Sequence, residues 1–156
     1  MIKEIHIYDM DGTLVDSSHR YRIGENGKID LAYWIANCKP EKIAKDKLLP
    51  LANQYQAQLD NPEVYVVIAT ARVLEAADWN YIKNVLGMPN KVISRNGRSD
   101  NRKGAKMKID GLRYLRYLKQ FANVKKWFYE DNKDYLYPVA DFLGAEAVFI
   151  PSNQGV

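Results

Sequence analysis

The sequence lacks the features that mark several classes of protein. It has one cysteine, Cys38, in 156 residues, so no intramolecular disulfide can form. It has no apolar run close to the roughly 18 residues that a membrane-spanning helix needs. No basic segment at the N-terminus leads into an apolar core, so we predict no secretory signal. We therefore expect a cytoplasmic protein that does not enter a membrane.

Histidine is also scarce, and its two positions do not favour a zinc site. His6 and His19 have no second histidine at the spacing of metal ligands. The chain is 47% hydrophobic and 27% charged, which is typical of a globular protein of one domain, residues 1–156. The net charge of +4 favours anionic ligands, although a solvated basic helix face explains it equally well.

The order of apolar patterns predicts the fold class. Five short apolar segments are predicted strands: 2–8, 64–69, 91–94, 126–129 and 147–150. Helical patterns at 73–86, 109–121 and 135–143 separate the later strands. This alternation predicts an α/β fold with a parallel sheet between helical layers. A segment at about 17–61, with predicted helices at 31–37 and 51–59, interrupts it as a small helical insert.

Acidic residues follow the first predicted strand. Asp9 and Asp11 are two residues apart and precede Gly12. Parallel sheets bind ligands at the carboxyl ends of their strands, where Thr70, Glu130 and Asp131 also fall. Clustered carboxylates repel one another unless a cation lies between them, and Mg²⁺ prefers such oxygen ligands. The alternative is a turn, because Asp-Gly is also a common turn dipeptide.

The segment Tyr8-Asp9-Met10-Asp11-Gly12-Thr13-Leu14-Val15 resembles the first motif of the haloacid dehalogenase superfamily, Asp-x-Asp-Gly-Thr-Leu. The later motifs occur in the order found in that family: Thr70, a lysine before the acidic strand end, and then Glu130-Asp131. The resemblance covers almost the whole chain. It implies a three-layer Rossmann-like fold and a phosphatase activity.

The resemblance also implies a role for each residue. Asp9 would attack phosphorus and form an aspartyl phosphate, and Asp11 would act as general acid and base. Thr70 would donate a hydrogen bond to a phosphate oxygen. The Mg²⁺ ligands would be Asp9, the main-chain carbonyl of Met10 and Asp131, with Glu130 as a ligand or a neighbour of one.

A closer resemblance is to the phosphatase domains of bacteriophage polynucleotide kinase/phosphatases. Arg20 follows Asp11 by nine residues, Arg72 follows Thr70 by two, and Asp100-Asn101-Arg102-Lys103 precedes Lys108. This implies that Lys108 is the active-site lysine, with Lys103 as the alternative, and that Arg20 and Arg72 bind substrate phosphate. Gly104 departs from the pattern, since that family usually has aspartate there. No kinase P-loop is present.

Two other classes of protein can be weighed against a phosphatase. A signalling receiver domain carries its acidic pair early and its acceptor aspartate later, the reverse of the order here. A non-catalytic member of the superfamily, kept as an interaction module, would have lost Asp9 or Asp11. We therefore expect a Mg²⁺-dependent phosphomonoesterase that removes 3′-phosphates from nucleic-acid ends. The alternative substrate is a small ester, as for a 5′(3′)-nucleotidase. No obligate protein partner is expected.

Overall fold

A computed structural model describes residues 1–152 of the chain. Seven strands are formed: β1 (Glu4–Tyr8), β2 (Val15–Asp16), β3 (Lys47–Leu48), β4 (Val64–Val73), β5 (Lys91–Arg95), β6 (Lys125–Glu130) and β7 (Glu146–Phe149). Five of them make one parallel sheet in the order β5-β4-β1-β6-β7. Strands β2 and β3 pair separately as an antiparallel ribbon.

In the described part of the chain, eight α-helices surround these strands. They are α1 (Leu31–Ala36), α2 (Pro40–Ile43), α3 (Ala52–Leu59), α4 (Ala76–Tyr81), α5 (Gly104–Leu112), α6 (Tyr114–Tyr117), α7 (Lys119–Ala122) and α8 (Lys133–Leu143). A π-helical turn at Ile82–Leu86 extends α4, and a 3-10 turn spans Ser18–Arg20. No helix within residues 1–152 combines the length and the apolar character needed to cross a membrane.

Two apolar clusters cover the two faces of the main sheet. Ile5 and Ile7 of β1 point to one face, where they meet Leu112 of α5 and Leu136 of α8. Tyr8 belongs to the cluster on the opposite face, together with side chains from α3 and from the α4 segment. This alternation is the side-chain period of a strand, and burial on both faces is typical of a parallel sheet. The predicted three-layer α/β class is confirmed.

The boundaries of some elements differ from the prediction. Strand β4 continues to Val73, so α4 begins at Ala76 instead of 73. The pattern at 109–121 is not one helix: α5 begins at Gly104, and the chain is extended at Leu118 between α6 and α7. The insert also contains α2 and β3, and β2 directly precedes it. All three are too short to produce a recognisable period.

Candidate active site

The carboxyl ends of three neighbouring strands bring the predicted site residues together. Tyr8, the last residue of β1, is level with Ile68 of β4 and Tyr129 of β6. The next residue, Asp9, donates its main-chain N–H to the carbonyl of Tyr129 at 2.9 Å. Asp9 therefore lies in register with Glu130, the last residue of β6, and its position is fixed by the sheet rather than by a loop.

A buried lysine binds the Asp9 carboxylate. Lys108 of α5 is fully buried, and its Nζ donates to Asp9 Oδ1 at 3.0 Å and to Glu130 Oε1 at 2.6 Å. Thr13 Oγ1 donates to Asp9 Oδ2 at 3.1 Å. The two carboxylates raise the pKa of Lys108 despite its burial, so the ammonium is retained. Asp9 is thus held between a cation and a hydroxyl.

Three carboxylates meet at this point with one lysine between them. One oxygen from each of Asp9, Glu130 and Asp131 lies within 4.8 Å of the others. Both Glu130 oxygens are engaged, Oε1 by Lys108 and Oε2 by the main-chain N–H groups of Asp131 at 3.0 Å and Asn132 at 3.2 Å. Asp131 Oδ2 is buried and has no hydrogen-bond partner within residues 1–152. We call these three acids and Lys108 the carboxylate cluster.

The acids of the carboxylate cluster are difficult to ionise together. Burial and the charge of Glu130 raise the pKa of Asp9 to about 8. Burial and the charge of Asp9 raise the pKa of Asp131 to about 7. A buried carboxylate oxygen without a donor is costly, and a cation would satisfy it and lower these pKa values. The donor set fits a hard divalent ion such as Mg²⁺.

Gly12 allows the loop after Asp9 to approach the carboxylate cluster. Its φ is +79°, a region that disfavours side chains, and a Cβ there would overlap the Asp131 carboxylate and Ser152 Oγ. The Asp-x-Asp-Gly pattern therefore includes glycine for a steric reason. The dipeptide Asp11-Gly12 forms a turn and also lies beside the candidate site, so the two interpretations given above are compatible.

The main-chain carbonyl of Met10 closes the loop after β1. It accepts N–H groups from Leu14 and Val15 at 3.0 Å each and from Thr13 at 3.3 Å. These three donors occupy the lone pairs of this oxygen. Met10 thus shapes the turn, with its side chain buried in the core, and its role as a metal ligand stays a prediction.

Asp11 does not join the carboxylate cluster. Arg72 donates two hydrogen bonds to its carboxylate, from Nε to Oδ2 at 2.8 Å and from Nη2 to Oδ1 at 2.6 Å. Ser17 Oγ also donates to Oδ1, at 2.5 Å. Burial raises the pKa of Asp11, but the charge and hydrogen bonds of Arg72 outweigh it, so the net shift is downward. In this arrangement Asp11 is a carboxylate that can accept a proton.

The two arginines expected to bind substrate phosphate are engaged by buried acids. Arg20 has no exposed surface, and it donates to Asp46 at 2.9 and 2.8 Å and to Cys38 Sγ at 3.4 Å. Arg72 also donates to Asp46 Oδ2 at 3.2 Å and to Asp78 Oδ1 at 2.9 Å. We call Arg20 and Arg72 with Asp11, Asp46 and Asp78 the arginine cluster. Arg20 is therefore part of a buried ion pair and does not face solvent.

The arginine cluster includes two acids that the sequence analysis missed. Asp46 is a single acid between Lys45 and Lys47, and Asp78 lies in a predicted helix. Neither falls within a recognised motif, and an isolated aspartate next to lysines is ordinarily a surface residue. The only signal that could have singled them out is the need of a buried arginine for a carboxylate partner.

Of the two candidate lysines, the structure brings Lys108 to Asp9. Lys103 is exposed and is the N-cap residue of α5, whereas Lys108 lies inside the same helix on the side that faces the sheet. Thr70 is buried within β4, three residues before the strand ends, and its Oγ1 accepts the main-chain N–H of Arg72 at 3.2 Å. At Gly104 a Cβ would overlap the ring of Tyr135, which explains why a side chain is absent there.

A cleft of about 880 Å³ borders the loop after β1 at Gly12 and Thr13. None of the charged residues of the carboxylate cluster or the arginine cluster is among the described residues that line it. Cavity size therefore does not identify the site in this molecule. The site is identified instead by the concentration of buried charged side chains at the carboxyl ends of the strands.

Comparison with known protein families places this site in context. Residues 1–148 match the family model described as bacteriophage T5 5′-deoxynucleotidase. The chain belongs to this family. A 5′-deoxynucleotidase of Escherichia phage T5 is 32% identical over 85 residues, which is 53% of this chain. The matched segment spans only 35% of that relative's length.

Solved structures show the same fold at low sequence identity. A chain of a Pnkp1/Rnl/Hen1 complex has a TM-score of 0.64 and 17% identity, covering 97% of this chain and 46% of that chain. A haloacid dehalogenase-like hydrolase from Streptococcus pneumoniae has a TM-score of 0.60 and 14% identity, covering 99% and 89%. CbbY from Rhodobacter sphaeroides, solved with phosphate, has a TM-score of 0.56 and 15% identity, covering 98% and 89%. This member of the T5 5′-deoxynucleotidase family thus has the haloacid dehalogenase-like fold, and its named relatives are phosphatases and nucleotidases.

Proposed function

We propose that this chain is a phosphomonoesterase that uses Asp9 as its nucleophile and acts on deoxynucleoside 5′-monophosphates. The observation that carries the proposal is the buried Asp9 carboxylate, held by Lys108 and Thr13 beside two further acids. Membership of a 5′-deoxynucleotidase family supports the substrate. The proposal treats residues 1–156 as one phosphatase domain with its insert at 17–61, working in the cytoplasm.

In the first step an Asp9 oxygen attacks phosphorus, and the bond from phosphorus to the leaving oxygen breaks. The ammonium of Lys108, 3.0 Å from Asp9 Oδ1, offsets negative charge on the transferring group. The Thr70 hydroxyl is available near the end of β4 to donate to a phosphate oxygen. Asp11 delivers the proton that the leaving oxygen needs.

In the second step a water molecule attacks the phosphorus of the aspartyl phosphate, and the bond to Asp9 breaks. Asp11 takes a proton from this water, and the carboxylate form favoured by Arg72 suits that role. For the first step Asp11 must carry a proton, and weakening of either bond to Arg72 would raise its pKa towards that form.

Asp9 and Asp131 would hold a Mg²⁺ ion, and Glu130 would orient them through Lys108 and the main-chain N–H groups that it accepts. When bound, the ion supplies positive charge that lowers the pKa values of these acids and stabilises negative charge on phosphate oxygens. The buried Asp131 Oδ2 supports this assignment.

A second candidate substrate is the 3′-phosphate of a nucleic-acid end. The sequence resemblance to polynucleotide kinase/phosphatases and the net charge of +4 favour it. Family membership favours the mononucleotide instead, so the order of the two candidates is the reverse of the order expected from the sequence. The chemistry at Asp9 is the same for both.

The test is phosphate release with Mg²⁺ from matched deoxynucleoside 5′- and 3′-monophosphates and from an oligonucleotide bearing a 3′-phosphate, with Asp9→Asn as the blank. We expect the 5′-monophosphate to have the highest kcat/KM. Preference for the oligonucleotide would replace the substrate but keep the chemistry. Release from none of the three would overturn the proposal.

A further inference from the structure

Asp46 lies outside every motif and yet occupies the centre of the arginine cluster. It precedes β3 in the insert, and its side chain is completely buried. Its two carboxylate oxygens accept from Arg20 at 2.9 and 2.8 Å and from Arg72 at 3.2 Å. His19 Nε2 is 2.8 Å from Oδ1. One buried carboxylate thus joins two buried guanidinium groups that are far apart in sequence.

The main chain of Asp46 is also fixed. Its carbonyl accepts the hydroxyl of Tyr81, at the end of α4, at 2.9 Å. The Asp46 carboxylate therefore cannot move independently of the core of the fold. This makes it a rigid anchor, unlike an acid on a free loop.

The two arginines of the arginine cluster have different numbers of carboxylate partners. Within residues 1–152, Asp46 is the carboxylate partner of Arg20, whereas Arg72 binds Asp11 and Asp78 as well. These three acids contact the planar guanidinium group of Arg72 from different sides and so fix its orientation. Since Nη2 serves both Asp46 and Asp11, the position of Asp11 depends on the contact that Asp46 makes.

We infer that Asp46 is a positioning residue: by tying Arg20 and Arg72 together it sets the orientation in which Arg72 presents Asp11 to the substrate. The insert then contributes to the reaction without touching substrate, because it supplies the carboxylate that fixes the acid and base. This inference rests on the function proposed above, in which Asp11 transfers the proton.

The test uses Asp46→Asn, which keeps the shape of the side chain and removes its charge, with two esters of different leaving groups. A deoxynucleoside 5′-monophosphate releases an alkoxide, which needs a proton, whereas p-nitrophenyl phosphate releases a stable phenolate, which does not. Misplaced Asp11 should slow the first turnover of the nucleotide, in which phosphate passes to Asp9, by about 100-fold. The first turnover of p-nitrophenyl phosphate, followed as a burst of phenolate before the aspartyl phosphate is hydrolysed, should slow by less than about threefold, since Asp11 acts on this ester only in the second step.

Asp30→Asn is the matched control. Asp30 also lies in the insert and also binds an arginine, Arg22, at 2.9 Å, but it has no contact with the arginine cluster among the described residues. Asparagine keeps the hydrogen bond by which Asp30 caps α1. Both ester activities should equal those of the parent.

Asp46→Asn leaves the buried Arg20 without a carboxylate and can impair folding. The double variant Arg20→Met/Asp46→Asn removes that unpaired cation while still depriving Arg72 of Asp46, and it should show the same selective loss on the nucleotide. An equal loss in the first turnover of both esters in a folded variant, or no loss on either, would overturn the role of Asp46 alone. A parent inactive on both esters would overturn the proposed function, and this inference with it.

Discussion

The carboxylate cluster and the arginine cluster lie side by side at the same strand ends, but their charges are balanced differently. The carboxylate cluster sets three acids against one lysine and leaves Asp131 Oδ2 without a donor within residues 1–152. The arginine cluster sets three acids against two arginines, and each acid accepts at least one guanidinium bond. The first arrangement is suited to receive a cation, and the second is suited to hold its own members in place.

Both clusters contain one aspartate of the Asp-x-Asp motif, and the contrast separates their roles. Asp9 is in the cluster where burial and neighbouring acids raise its pKa to about 8. Asp11 is in the cluster where Arg72 brings its pKa below the usual value. Two carboxyls two residues apart thus differ in proton affinity because they face different neighbours.

The largest expected effect comes from removing the nucleophile of the carboxylate cluster. Asp9→Asn should lower phosphate release by at least about 10⁴-fold, because an amide cannot form the aspartyl phosphate. The variant should remain folded, since Asn keeps the main-chain bond to Tyr129. Steady-state phosphate release and circular dichroism would check this. A rate within tenfold of the parent would refute the assignment of Asp9.

Removing the single cation of the carboxylate cluster should have the next largest effect. We expect Lys108→Met to lower kcat by about 100- to 1,000-fold, because an electrostatic donor to the transferring group is lost. Lys103→Met in the same helix is the control and should stay within about twofold, since Lys103 is exposed. Comparable losses in the two variants would show that the site had been assigned to the wrong lysine.

Removing one arginine of the arginine cluster should reduce the free energy of unfolding more clearly than it reduces kcat. Arg20→Met removes one partner of a buried ion pair and should lower the free energy of unfolding by about 3 kcal/mol. Asp46 keeps Arg72 as a partner, so kcat should remain within about fivefold of the parent. Urea unfolding monitored by tryptophan fluorescence would measure the first quantity. A large fall in kcat with unchanged stability would mean that Arg20 contacts substrate.

The smallest expected effect is a pH dependence of the stability of the metal-free protein. In the fold, the pKa of Asp9 is raised to about 8 and that of Asp131 to about 7, against 3.8 for an unperturbed aspartate. The unfolded chain therefore loses these protons first, and stability falls as pH rises above about 4, until about pH 7 for Asp131 and about pH 8 for Asp9. Thermal unfolding in a chelator would follow this trend.

Added Mg²⁺ should reverse the trend, because the ion binds the ionised carboxylates. Asp11, whose pKa is lowered, loses its contribution only below the usual aspartate range, so it does not oppose the effect. Asp131→Asn should flatten the pH dependence. A chelated parent whose stability rises between about pH 5 and about pH 8 would contradict the raised pKa values.

The sequence alone predicted the fold and the carboxylate cluster better than the arginine cluster. The strands have periodic apolar patterns, and Asp9, Thr70, Glu130 and Asp131 directly follow or end strands, so their convergence follows from parallel topology. The resemblance favoured Lys108 over Lys103, but the residue pattern did not separate them, because both precede the predicted helix at 109–121. Which lysine faces the sheet depends on where α5 begins, and that start was misplaced by several residues.

The arginine cluster could not be predicted because its members share no period and no motif. Arg20 and Asp46 are 26 residues apart in an insert whose elements are short. Their pairing is decided by packing among α1, α2 and the end of α4, which leaves no local pattern in the sequence. The hydrogen bonds of the Met10 carbonyl could not be predicted for a different reason, since a main-chain oxygen has no signature in the sequence and the turn determines its direction.

Strand β1 is the middle strand of the main sheet, bonded to β4 on one side and β6 on the other. Local opening of a protein begins where few neighbours hold the main chain, and a central strand opens only with the whole fold. Amide hydrogens of Ile5 and Ile7 should therefore exchange with solvent most slowly, and those of the insert sooner. The proposed nucleophile is attached to the part of the molecule that fluctuates least, whereas Asp46, inferred to fix the neighbouring acid and base, lies in the insert and is held to the core by bonds such as that from the Tyr81 hydroxyl.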